Sequence, residues 1–233
     1  MGANPYAPLA RAPAGNLHGT TNQGGSADLG VVFLLTPTGT MKVLHSFQGG
    51  TDGANPYAGV ALDSAGSLYG TTYGGGAANV GVVYKLDTSG HETLLYSFTG
   101  GADGANPYSG VVLDSAGNLY GTTYNGGASK AGVVYKVSPA GQETVLYTFT
   151  GGTDGGNPYA GVTFDSAGNL YGTAMHGGSA GYYAAGVVYK LDPTGQETVS
   201  RMRICRSAAG LKGVVPLRVV VLPARTNWLR SRT

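Results

Sequence analysis

The chain has 233 residues, of which 42% are apolar, 11% are charged and 42 are glycine. That is enough apolar chain for one or two packed domains. Net charge is +2, yet residues 1–200 hold all 12 acids against six bases, and residues 201–233 hold eight bases and no acid. The acidic body argues against nucleic-acid binding. One cysteine, Cys205, excludes an intrachain disulfide framework. No apolar run reaches the roughly 18–20 residues that span a bilayer, and the first residues lack the basic and apolar regions of a secretory leader.

Internal repetition dominates the sequence. Asn-Pro-Tyr begins at Asn4, Asn55, Asn106 and Asn157, in steps of 51. Gly-Val-Val begins at Gly30, Gly81, Gly132 and Gly186. The last of those steps is 54, because the fourth copy carries three extra residues in the Met175–Ala185 loop. Copies therefore start near residues 2, 53, 104 and 155.

The first copy departs from the others. Ala12 replaces the aspartate of the later copies (Asp63, Asp114, Asp165), and His18 replaces their tyrosine (Tyr69, Tyr120, Tyr171). Pro8 and Pro13 suit an edge strand, where a missing N–H is tolerated. Copies two and three are identical at 36 of 51 positions. Copy three shows the predicted elements: strands over Tyr108–Asp114, Asn118–Tyr124, Gly132–Val137 and Gln142–Thr150. Glycine falls late in the turns after the first and third strands, as hairpins require. The first strand is apolar on both faces and carries small residues, Ala58-Gly59, Ser109-Gly110 and Ala160-Gly161, which suits a crowded inner position. In the fourth strand, alternation puts Val145, Tyr147 and Phe149 on one face and Thr144, Leu146 and Thr148 on the other. The fourth copy loses the pattern at Ser200. Beyond it, residues 201–233 form an Arg-rich non-repeat tail, read as a basic arm or as an out-of-frame terminus.

Four antiparallel strands at this period predict an all-β fold, a β-propeller of four blades of about 51 residues each. The blades form either a complete ring or a fragment of a longer array. A β-solenoid is the structural rival.

The motifs Asp-Ser-Ala-Gly-Asn-Leu-Tyr-Gly-Thr-Thr and Gly-Gly-Thr-Asp-Gly-Ala-Asn-Pro-Tyr resemble the GloVer tandem repeat over residues 1–199. More loosely, Asp-x-x-Gly-Asn-Leu-Tyr is similar to NHL-type propeller blades. The kelch type fits less well, for want of its tryptophan. The GloVer resemblance implies an exported or surface-associated bacterial repeat protein. It supplies no catalytic residues and no ligand.

Candidate sites follow from recurrence. Asp63, Asp114 and Asp165 lack the spacing of an EF-type calcium loop and read as caps of their own turns. Asp52, Asp103 and Asp154 recur in end loops, where a ring of them could meet a cation or glycan. The plainer reading of these is turn punctuation. Tyr73 and Tyr124 beside Gly-rich loops suit stacking on sugar rings. None of His18, His45, His91 and His176 recurs at one repeat position, which argues against metal or catalytic histidines.

The ligand-contact candidates are thus Tyr73, Tyr124, His176, Tyr182, Asp103 and Asp154, with no catalytic, cofactor or metal residue assigned. The expected function is non-enzymatic surface display, adhesion or ligand binding, the partner being a surface component or glycan. One alternative is a propeller-type lyase or hydrolase sited at the Met175–Ala185 insertion, with His176, Tyr182 and Tyr183. The other is a non-functional fragment of a longer array.

Overall fold

The computed structural model describes residues 1–178 and 186–200. The Arg-rich tail and residues 179–185 of the fourth-copy insertion, Tyr182 among them, lie outside the described residues.

The repeat folds into four consecutive antiparallel sheets, each of four strands in chain order. The first blade uses Ala10–Arg11, Leu17–Thr21, Val31–Leu35 and Met41–Ser46. The second uses Ala61–Leu62, Leu68–Thr72, Val82–Leu86 and Glu92–Ser97. The third uses Val112–Leu113, Leu119–Thr123, Val133–Val137 and Glu143–Thr148, and the fourth Thr163–Phe164, Leu170–Ala174, Val187–Leu191 and Glu197–Ser200. Gly2–Ala3 pairs separately with Gln23–Gly24. Among the described residues the helical content is one 3-10 turn, Gly50–Asp52, and no helix is long and apolar enough to cross a membrane.

The hairpin between first and second strands is built by the recurring aspartate. Asp114 Oδ1 accepts the N–H groups of Ala116 and Asn118, while Oδ2 accepts the Tyr120 hydroxyl at 3.0 Å. Asp63 and Asp165 do the same with Tyr69 and Tyr171. Burial pushes the Asp114 carboxyl up, but the hydrogen bonds from Asn118, Tyr120 and Ala116 outweigh it and hold the pKa below the ordinary value. The joint replacement of aspartate and tyrosine in copy one now has a reason. Once the carboxylate is gone, a tyrosine at position 18 has no acceptor.

The core sits between blades. Val32 and Phe47 pack against Leu68, Val82, Tyr84 and Leu86 of the second blade. Val83 and Phe98 pack against Leu119, Val133, Tyr135 and Val137 of the third. Val134 and Phe149 pack against Leu170, Val187, Tyr189 and Leu191 of the fourth. At each junction a phenylalanine meets a tyrosine edge-on: Phe47–Tyr84 at 5.2 Å, Phe98–Tyr135 at 5.1 Å and Phe149–Tyr189 at 5.0 Å. The hydroxyl end of that tyrosine presses on the glycine of Leu-Tyr-Gly-Thr. A Cβ on Gly121 would stand 2.5 Å from the Tyr135 hydroxyl, so no larger residue fits.

Two recurring side-chain hydrogen bonds help to stitch each junction. Thr20, Thr71 and Thr122 donate to the carbonyls of Ala58, Ser109 and Ala160 in the next blade, at 2.7, 2.8 and 3.0 Å. Asn55, Asn106 and Asn157 donate from Nδ2 to Asn22, Tyr73 and Tyr124 of the preceding blade. These asparagines sit at φ of 57°, 54° and 52°, a left-handed conformation that asparagine tolerates better than most residues. Thr173, the fourth-blade counterpart of those threonines, is exposed.

Two readings of the sequence need correction. The first strand, expected over Tyr108–Asp114, is reduced to Val112–Leu113. Its inner half runs against neighbouring inner segments rather than along its own sheet. A Cβ on Gly110 would stand 2.9 Å from the Gly59 carbonyl, and one on Gly59 2.6 Å from that of Pro8. The fourth strand does not alternate throughout, because its register shifts against Val134 and Tyr135. This bulge leaves Val145 facing the second blade while Tyr147 and Phe149 face the fourth.

The Tyr135 hydroxyl is fully buried with no hydrogen-bond partner. Phe33 holds the matching place in the first blade. Tyr135→Phe is therefore expected to raise the unfolding free energy by about 1 kcal/mol, read from urea denaturation.

Candidate ligand site at the propeller axis

The four Asn-Pro-Tyr segments converge. Tyr6, Tyr57, Tyr108 and Tyr159, with the short residues that follow each, line one cavity of about 490 Å³. In the last three copies the asparagine ahead of the tyrosine is locked to the preceding blade, which fixes where those rings emerge. The rings touch in sequence: Tyr6–Tyr57 at 5.8 Å, Tyr57–Tyr108 at 5.2 Å and Tyr108–Tyr159 at 4.5 Å, the last pair stacked. Tyr73 and Tyr124 brace them from behind, 4.8 and 5.3 Å from Tyr108. The result is a ladder of six phenols at the mouth of the axis.

The ends of the ladder face water, with Tyr6 69% and Tyr159 55% exposed. Tyr108, in the middle, is pushed up to about 12, first by burial and then by its neighbour Tyr73. It stays a neutral hydrogen-bond donor. Among the described residues, the cavity lining contains no carboxylate, imidazole, amine, guanidinium or thiol. It can offer flat aromatic faces, phenol hydroxyls and backbone carbonyls.

A second recurring constellation lies at the blade junctions. Asp103 and Asp154 accept the Thr99 and Thr150 N–H at 2.7 Å, and the hydroxyls of Tyr96 and Tyr147 at 3.0 and 3.1 Å. Each faces a glutamate of the next blade, Glu143 or Glu197, as Asp52 faces Glu92. Burial and then the facing aspartate raise all three glutamates to about 7. One carboxyl oxygen of each glutamate is buried without a partner. In the first junction His45 stands in for the tyrosine, with Nε2 2.8 Å from Asp52 Oδ1.

The candidates from sequence thus separate. Tyr73 and Tyr124 belong to the axial ladder. Asp103 and Asp154 close loops at the junctions and are absent from the cavity lining. His176 pairs through its backbone with Gly156. Sequence reasoning missed Tyr6, Tyr57, Tyr108 and Tyr159 as site residues, although one tyrosine at one place in every copy was the available signal. It also missed Glu92, Glu143 and Glu197.

Blades repeating around a shared axis, with an uncharged aromatic mouth, define a β-propeller repeat protein. A family profile described as the Gloeobacter/Verrucomicrobia repeat matches residues 2–221, and the chain belongs to that family. The fold is similar to a streptogramin B lyase, with 14% identity, 86% of this chain and 55% of that one covered, and a TM-score of 0.58. It is also similar to a proposed 6-phosphogluconolactonase from Bacteroides uniformis, with 18% identity, coverage of 86% and 57%, and a TM-score of 0.52. A proposed gluconolactonase matches with 18% identity, coverage of 82% and 61%, and a TM-score of 0.50. The chain spans little more than half the length of these structures, and at such identities the likeness carries the fold alone. No curated protein matches the chain.

Proposed function

We propose that this chain is a non-enzymatic, extracytoplasmic repeat module that binds neutral glycans at its axial mouth and serves surface display or adhesion. The six-tyrosine ladder carries this reading. Aromatic faces stack on the C–H faces of sugar rings, and phenol tips hydrogen-bond their hydroxyls. A lining without charge suits a neutral polyhydroxylated ligand better than an anionic one. The surface role rests on the resemblance of the repeat to exported bacterial arrays, and surface biotinylation of producing cells tests it.

Enzymes stand among the similar structures, so turnover is the rival reading. The described cavity supports binding over catalysis, because it lacks the paired acid and base that hydrolysis or elimination needs. Titration with neutral oligosaccharides, followed by tyrosine fluorescence, is expected to saturate. Tyr108→Ala is expected to weaken binding by about tenfold or more, since stacked aromatic anchors dominate such contacts. Equal binding by Tyr108→Ala would overturn the axial assignment. Hydrolysis of a polysaccharide or ester that is lost in His176→Ala would instead support the enzyme.

A further inference from the structure

We propose that His45, Asp52 and Glu92 form a zinc site that ties the first blade to the second. The three side chains come from separate segments: the fourth strand of blade one, the 3-10 turn that follows it, and the fourth strand of blade two. One potential ligand atom from each lies within 4.8 Å of the other two. His45 and Asp52 are 17% and 19% exposed, shielded yet reachable by an ion.

The paired carboxyls recur at the other junctions, and among the described residues only this one adds a histidine to them. Glu92 Oε1 is buried with no hydrogen-bond partner, while its carboxyl faces the carboxyl of Asp52. A divalent ion would satisfy that oxygen and neutralise the facing charges. The supporting contacts also hold the ligands in place. Asp52 Oδ2 accepts the Gln48 N–H at 2.5 Å, and the His45 ring packs edge-on against Phe47 at 4.8 Å.

The donor set selects the metal. Calcium and magnesium prefer oxygen alone, whereas one imidazole with two carboxylates suits zinc, water completing a tetrahedron. The other junctions provide internal controls. Tyr96 and Tyr147 stand where His45 does, against the same aspartate and glutamate. Because such a site bridges two blades, its histidine need not recur through the array.

The test uses the full chain, stripped with chelator and titrated with zinc at about pH 8, because metal binding competes with protons for its ligands. One zinc per chain is expected, with a rise in Tm, because an ion that binds only the folded state stabilises it. Cobalt in place of zinc is expected to give the visible spectrum of a tetrahedral site. His45→Tyr installs the residue of the other blades and is expected to fold, yet to lose both the binding and the Tm rise. Glu92→Gln, which keeps size and shape, is expected to weaken zinc by about tenfold or more. No zinc uptake by the parent chain, or undiminished uptake by both variants, would overturn the site.

Discussion

Phe98→Ala is expected to lower the unfolding free energy by about 3–5 kcal/mol, the usual range for removing a fully buried ring. Phe98 has no exposed surface and lies between two tyrosines, 5.2 Å from Tyr96 and 5.1 Å from Tyr135. The space it leaves cannot readily collapse, because Tyr135 is already pressed onto Gly121. The form of the loss matters as much as its size. In a linear array stability is held partly in nearest-neighbour interfaces, so weakening one junction uncouples the two sides. Urea denaturation followed by circular dichroism is expected to shift to lower urea and to broaden toward two steps. A loss below about 1 kcal/mol would show that the junction is not the unit of stability.

Raising the pH from 5 to 8 in chelator is expected to destabilise the array by about 3 kcal/mol. The sign follows from Glu92, Glu143 and Glu197, whose folded pKa of about 7 stands above the ordinary 4.5. A carboxyl raised on folding favours the folded state below its unfolded pKa, and that contribution is lost as pH climbs through the folded value. These glutamates are only half shielded from water, so each is credited with about 1 kcal/mol after screening. His18 works the other way. Burial lowers its pKa, so its contribution is present above 6.5 and fades as the solution acidifies. The hairpin aspartates Asp63, Asp114 and Asp165, all lowered, add stability that is lost only as pH falls below about 4. Maximum stability is thus expected near pH 5. Glu143→Gln is expected to remove about a third of the slope, and a urea midpoint flat between pH 5 and 8 would refute the pairing.

Much of the fold was legible because its local rules repeat. The hairpin aspartate, the glycine beneath the tyrosine and the steps of 51 each recur in order, and local chemistry alone interprets them. The bulge at Leu146 was not legible. An extra residue leaves the apolar spacing of Val145, Tyr147 and Phe149 unchanged, and only the pairing with Val134 and Tyr135 reveals it. The site was half legible. Tyr73 and Tyr124 stood out beside their loops, whereas Tyr57 and Tyr108 read as strand residues until the axis brought the copies together. The facing carboxyls were hidden for another reason. Asp103 and Glu143 lie 40 residues apart in different copies, and only the overlay of one blade on the next joins them.

Both side-chain stitches between blades obey a fixed offset: the threonine reaches 38 residues forward and the asparagine 33 back. Gain or loss of one whole copy therefore restores each partner to its place, whereas a change of any other length within a stitched span breaks several at once. The three extra residues of the fourth copy fall beyond the last of these spans, where nothing is put out of step. Such a chain can change its number of copies by recombination between near-identical stretches and still fold.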